Sequence, residues 1–172
     1  LLLGSQILGQ MRIRGLLEGD DVMHTKSALQ HLGVSITRHV DGEWLVQGVG
    51  IGGLRESSQP LDMGNSGTGA RLLMGLIAPY AFTSFVYGDE SLSGRPMKRV
   101  TEPLSQMGVQ IVSRSQQRLP LSISGSQLLK PIRYELPVAS AQVKSCILLA
   151  GLNIAGTTTV IEPHPTRDHT ER

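Results

Sequence analysis

Met107-Gly108-Val109-Gln110-Ile111 restates, about 75 residues further on, the phrase Leu32-Gly33-Val34-Ser35-Ile36. In both places a helical apolar pattern stops at a glycine and an alternating, strand-like pattern begins. A second phrase behaves the same way. Leu73-Met74-Gly75-Leu76 returns as Leu149-Ala150-Gly151-Leu152, and Leu2-Leu3-Gly4 aligns with it near the start. In each copy one helix ends at a glycine, a strand and loop follow, a second helix runs to another glycine, and a hairpin closes the unit. The implied unit is βαβαββ, about 75 residues long. Strands mixed with helices and joined partly by hairpins predict an α+β fold with mixed sheets. Residues 1–172 hold one whole unit and parts of two others.

The remaining elements follow from local patterns. Met11, Ile13 and Leu16 predict a short strand, and Asp20-Asp21 cap a helix through Leu32. Val34 to Val40 and Trp44 to Val46 form a hairpin around Asp41-Gly42, with Trp44 as a packing residue. A helix runs from about Ser66 to Ala78, stopped by Pro79, and Thr83–Tyr87 is a strand. Residues 88–96 read as a polar loop. Pro96 suits the first position of a helix that Pro103 should kink. Strands are expected at Val109–Ile111, Leu121–Ile123, Ile132–Leu136 and Thr157–Ile161, with a helix opening after Pro137. Leu1–Gly4 resembles the last turn of a helix, and Asp168–Arg172 the first turn of another.

One loop carries chemistry. Residues 61–75 read Leu-Asp-Met-Gly-Asn-Ser-Gly-Thr-Gly-Ala-Arg-Leu-Leu-Met-Gly. Glycines and small hydroxyl residues run directly into an apolar helix. Unpaired N–H groups and partial positive charge at such a helix start suit an anion, and glycine allows close approach. The same residues also serve as an ordinary helix cap. The glycine spacing of Gly64–Arg71 matches a Walker A loop, but Ala70 and Arg71 stand where lysine and Ser/Thr belong. Gly48, Gly50 and Gly53 fit G-x-G-x-x-G, yet the polar residues that follow end at Pro60 and open no helix.

Composition excludes several classes. A net charge of +2 and 3% aromatic residues argue against a nucleic-acid surface. The single cysteine, Cys146, excludes an intrachain disulfide framework and fits a reducing compartment. No apolar run is long enough to span a membrane. Cys146 sits among apolar residues and reads as a buried thiol. His164, Asp168 and His169 match no strong metal spacing and read as substrate-loop or capping residues. Lys98 and Arg99, at helical spacing from Arg95, are expected to point away into solvent.

Four motifs then resemble one family. They are Leu61-Asp62-x-Gly64-Asn65-Ser66-Gly67-Thr68-x-x-Arg71-Leu72, Gly88-Asp89-x-Ser91-Leu92-x-x-Arg95-Pro96-Met97, Pro137-Val138-Ala139-Ser140-Ala141-Gln142-Val143-Lys144-Ser145, and Thr166-Arg167-Asp168-His169-Thr170-Glu171. Their order and spacing are similar to those of the 5-enolpyruvylshikimate-3-phosphate synthases, the second bacterial class in particular. The resemblance implies an α/β prism of enolpyruvyl-transferase type, of which residues 1–172 are a partial N-terminal domain. It implies transfer of the enolpyruvyl group of phosphoenolpyruvate to the 5-hydroxyl of shikimate 3-phosphate, through a tetrahedral intermediate, without metal or cofactor. The parent is then a cytoplasmic, monomeric enzyme of aromatic amino-acid biosynthesis and a glyphosate target, with Gly67 marking the sensitive form.

By the same resemblance, Asn65, Gly67 and Thr68 border the phosphoenolpyruvate phosphate, and Arg95 binds that substrate directly. Ser140, Ala141 and Gln142 hold shikimate 3-phosphate, and Arg167 approaches its phosphate. The family's Lys-Ser-x-x-x-Arg motif is expected before Leu1. Its catalytic aspartate and further cations are expected in a second domain, so no catalytic residue is assigned within 1–172 and the segment alone is expected to be inactive. Two rivals stay open. The sister transferase acting on a UDP-linked N-acetylglucosamine uses a loop cysteine, and none lies near Gly88–Arg95. The second is a non-catalytic module on the same fold, either one that binds anions or a purely structural repeat domain.

Overall fold

The computed structural model describes residues 1–172. The paired phrases that open the sequence reading are helix stops of one kind. Helix α2 (Asp20–His31) and helix α5 (Lys98–Met107) each end at a glycine with positive φ, 94° at Gly33 and 107° at Gly108. Val34 N donates to Leu29 O and Val109 N to Leu104 O, both at 3.0 Å. Gly33 N donates to Gln30 O and Gly108 N to Ser105 O, again at 3.0 Å. This is a Schellman stop with its apolar clasp, because Leu29, Val34, Leu104 and Val109 are all buried.

Three sheets follow from the repetition. The short helix α1 (Leu2–Ser5) leads into β1 (Leu8–Ile13), α2, β2 (Ser35–Arg38) and β3 (Trp44–Val49). Those strands form an antiparallel sheet in the order β1-β3-β2. The complete unit comprises β4 (Leu61–Asp62), α3 (Gly67–Ile77), β5 (Thr83–Tyr87), the one-turn α4 (Glu90–Ser93), α5, β6 (Gln110–Arg114) and β7 (Arg118–Ser124). Its sheet order is β4-β5-β7-β6, parallel at the first pair and antiparallel at the rest. Next come β8 (Arg133–Glu135), α6 (Ala141–Gly151) and β9 (Thr159–Ile161), with β8 and β9 parallel. The first sheet thus reproduces the antiparallel half of the second, and the third reproduces its parallel half.

The helices gather at the centre. Helices α3 and α6 are buried over most of their lengths, α3 through Leu73, Met74, Leu76 and Ile77 and α6 through Val143, Cys146, Ile147 and Leu149. A helix apolar nearly all round must lie inside. They meet at Gly75, where a Cβ would overlap the carbonyl of Cys146. One continuous apolar core joins residues of all three units.

Four expectations are corrected. The two-residue strand β4 was not legible, because the parallel partner that defines it lies 25 residues on. The 88–96 segment contains α4, capped by Asp89, whose carboxylate accepts from Leu92 N at 2.7 Å. Helix α5 starts at Lys98 rather than Pro96 and stays continuous through the buried Pro103. Residues 169–171 form a turn without an assigned helix, closed by the single helix-like bond from Arg172 N to Asp168 O at 3.2 Å.

Candidate anion-binding site

The glycine loop is braced before it reaches α3. Asp62 Oδ1 accepts from Gly64 N at 2.9 Å, and Ser66 Oγ caps the helix by accepting from Gly69 N at 3.1 Å. Gly64 has φ +50°, and a Cβ there would overlap the His24 ring, which packs under the loop. His24 Nδ1 lies 3.2 Å from Asp62 O.

A second loop locks onto the first. Asp89 N donates to Gly64 O at 2.8 Å, and Asn65 Nδ2 donates to Asp89 Oδ2 at 2.8 Å. The amides of Leu92 and Asn65 hold the Asp89 carboxyl below the usual aspartate range. Asn65 Oδ1 in turn accepts from Arg95 Nη2 at 2.7 Å, and Ser91 Oγ accepts from the same nitrogen at 3.2 Å. Arg95 is therefore aimed across the mouth of α3.

Arg71, one helical turn beyond Gly67, links this loop to α6. Its Nη1 donates to Gln142 Oε1 at 2.9 Å and to Gly67 O at 3.3 Å, and its Nη2 donates to Pro96 O at 3.4 Å. Gln142 Nε2 completes the ring by donating to Thr68 Oγ1 at 2.8 Å. Ser140 caps α6, its Oγ accepting from Val143 N at 3.4 Å. Burial, and then the charges of Arg95 and Arg99, hold the Arg71 pKa below its ordinary value.

Two adjoining cavities result. One, of about 330 Å³, is lined by Arg71, Arg95, Pro96, Arg99, Ser140, Gln142 and Val143. The other, of about 230 Å³, lies between Thr68, Ala141, Gln142, Ser145 and Arg167. Arg71, Arg95 and Arg99 form no ion pair with any carboxylate of the chain. The arrangement suits anions, because the guanidinium groups of Arg71, Arg95 and Arg99 line the first cavity and that of Arg167 lines the second. The first cavity has no carboxylate or imidazole in its lining, and the second is also lined by His169.

All eight residues named from sequence border these cavities or brace the loops that do. Gly67 lies between the two guanidinium groups: a Cβ there would sit 3.1 Å from Arg71 Nη1 and 3.2 Å from Arg95 Nη1. Arg99 is a correction. It lines the first cavity, because residues 95–97 are a non-helical link and the assumed helical spacing from Arg95 does not hold. The linking role of Arg71 was also missed, although its place four residues after Gly67 puts it on the same helix face. Cys146 is fully buried, and burial pushes its thiol up to about 12. His164, Asp168 and His169 form no three-donor cluster.

Comparison with known proteins gives the family of the chain. The profile of EPSP synthase (3-phosphoshikimate 1-carboxyvinyltransferase) matches residues 1–172. A 3-phosphoshikimate 1-carboxyvinyltransferase of Paramagnetospirillum magneticum is 58% identical over 171 residues, which are 99% of this chain and 38% of that protein. The enzyme of the same description from Parvibaculum lavamentivorans is 57% identical over 172 residues, 100% of this chain and 38% of its own length. The solved EPSP synthase of Acinetobacter baumannii superposes with a TM-score of 0.94 at 49% identity, over 99% of this chain and 39% of that one. The chain thus spans well under half the length of the relatives it matches. It belongs to the EPSP synthase family.

Proposed function

We propose that the full-length protein transfers the enolpyruvyl group of phosphoenolpyruvate to the 5-hydroxyl of shikimate 3-phosphate and releases phosphate, a step toward chorismate and the aromatic amino acids. The observation that carries this is the cluster of Arg71, Arg95 and Arg99 without carboxylate partners, beside the Gly64–Thr68 loop and Gln142. Two anionic substrates repel each other. Fixed cations and N–H groups offset that charge, so both anions can be held in contact.

In this reading Arg95 and the Asn65–Thr68 backbone hold phosphoenolpyruvate. Ser140, Ala141 and Gln142 hold shikimate 3-phosphate, and Arg167 faces its phosphate. As the acceptor oxygen bonds to C2, its hydroxyl proton leaves and a proton adds to C3 of phosphoenolpyruvate, giving the tetrahedral intermediate. Loss of a C3 proton then restores the double bond as phosphate leaves.

None of these groups is a base at neutral pH, so residues 1–172 serve as the binding part of an N-terminal domain. The acid and base belong to a second domain that closes over the site. The enzyme works as a cytoplasmic monomer without metal or cofactor. Gly67 leaves it sensitive to glyphosate, and an inhibition constant in the millimolar range would exclude this. The UDP-sugar alternative lacks its acid, because no cysteine lies in the 88–97 loop and Cys146 is buried.

The test is phosphate release by the full-length protein with both substrates present. Release that requires both is expected. Release without shikimate 3-phosphate, or tight binding of both without turnover, would overturn the assignment. Residues 1–172 alone should give no turnover.

A further inference from the structure

Lys144 is the one ammonium of the chain sunk into the core surface, with only 6% of its side chain exposed. It occupies the second turn of α6, two residues beyond Gln142. Two of its three protons are used on carboxylates far apart in sequence: Nζ is 2.7 Å from Glu162 Oε2 and 2.6 Å from Glu171 Oε1. These residues are the two ends of one strap, running from the end of β9 past Arg167. The next residue of α6 adds a third tie, Ser145 Oγ to Thr170 Oγ1 at 2.7 Å. Glu162 also accepts from the Thr166 hydroxyl inside the strap.

Within residues 162–172 few other ties hold the strap, among them the ion pair of Arg172 with Asp168. It contains no regular element, and the one backbone–backbone hydrogen bond within residues 162–172 joins Arg172 N to Asp168 O. A segment without a backbone ladder takes its position from its side-chain ties. Here those ties converge on one buried ammonium and its neighbouring hydroxyl. Arg167, at the middle of the strap, lines the same cavity as Gln142, Ala141 and Ser145. Arg95 and the Gly64–Thr68 loop are held separately, through Asn65 and Asp89.

We propose that Lys144 is a positioning residue: by clamping Glu162 and Glu171 together it fixes the strap that carries Arg167, and so sets affinity for the phosphorylated acceptor but not for phosphoenolpyruvate. The inference rests on the acceptor-binding role given to Arg167 above. Lys144 touches neither cavity and acts only through the strap.

The test uses the full-length protein carrying Lys144→Met, which keeps the stem and removes the charge. The readouts are the KM for shikimate 3-phosphate, the KM for phosphoenolpyruvate at saturating acceptor, and the rate of tryptic cleavage after Arg167. We expect the acceptor KM to rise about tenfold or more, the phosphoenolpyruvate KM to stay within about twofold, and cleavage to accelerate. Lys144→Arg should restore most of the acceptor affinity. Glu171→Gln, at the more exposed partner, should show the same pattern more weakly. The idea fails if folded Lys144→Met keeps its acceptor KM, or if both KM values rise together and arginine does not rescue. Should Lys144→Met not fold, an unchanged acceptor KM in Glu171→Gln overturns it equally. A wild-type protein that does not bind shikimate 3-phosphate would instead sink the functional assignment, while cleavage after Arg167 would still report on the clamp.

Discussion

Gly67 shows how much rests on one missing methyl group. Its hydrogen faces the Nη1 atoms of both Arg71 and Arg95, so Gly67→Ala would push each guanidinium by a few tenths of an ångström. The first turn of α3 tolerates alanine, so the expected loss is in binding. Phosphoenolpyruvate KM should rise by about tenfold, as for a modest misplacement of charged donors, while the thermal midpoint changes little. Steady-state kinetics beside a melting curve checks both halves. Lys144 and Glu162 supply a pH prediction. Burial works against the charged Lys144, but the hydrogen bonds and charges of Glu162 and Glu171 outweigh it and its pKa is raised; the Lys144 hydrogen bond keeps that of Glu162 low. A depressed carboxyl stabilises the fold above its unfolded pKa, about 4.3, and the gain is lost as pH falls through its lower folded value. A raised lysine stabilises below about 10.4, and the gain is lost as pH rises through its higher folded value. The stability gap between wild type and Lys144→Met should therefore be full from about pH 5 to 10 and shrink outside that window, in denaturant titrations run across pH. The glycine loop and Arg95 were legible as donors because their motifs are local. The buried ion triad was not, since Lys144 meets Glu162 and Glu171 across 18 and 27 residues of chain.

At the scale of elements, repetition has energetic content. Gly33 and Gly108 adopt the same left-handed stop with the same two hydrogen bonds. Alanine at either should cost a similar amount, about 1–2 kcal/mol from the backbone alone. Widely unequal losses in urea unfolding would count against equivalent units. Gly75 is a different case. Its φ is helical, but α3 and α6 touch through it, and a methyl there would overlap the Cys146 carbonyl. Gly75→Ala should separate the two helices and cost about 3 kcal/mol, at the upper end for overpacking. Because both cavities open at the starts of these helices, acceptor binding should weaken along with stability, as equilibrium unfolding and calorimetry would show. The helix stops were readable because a Schellman glycine is a local requirement. The contact at Gly75 was not, since nothing in Leu-Met-Gly-Leu says which helix will lie across it.

The whole molecule brings cations from separate units to one place. Arg71 comes from the first helix of the complete unit, Arg95 and Arg99 from the link and helix that follow, and Gln142 and Arg167 from the next unit. Raising ionic strength should weaken phosphoenolpyruvate binding to the full-length protein, since screening lengths fall from about 10 Å at 0.1 M salt to about 3 Å at 1 M. An affinity flat across that range, measured by titration calorimetry, would mean that Coulombic attraction does not dominate. By itself the amino-acid sequence determined the helix stops, most of the strands and the donor-rich loops, because each depends on residues a few positions apart, and the repeat followed from the recurrence of those local phrases. Tertiary structure alone decided that Arg99 faces the cavity, that Arg71 bridges Gly67 to Gln142, and that Lys144 holds both ends of the Arg167 strap. The contacts of Arg71 with Gln142 and of Lys144 with Glu162 and Glu171 join residues 18 to 71 positions apart, and no local propensity encodes which distant side chains packing will bring face to face.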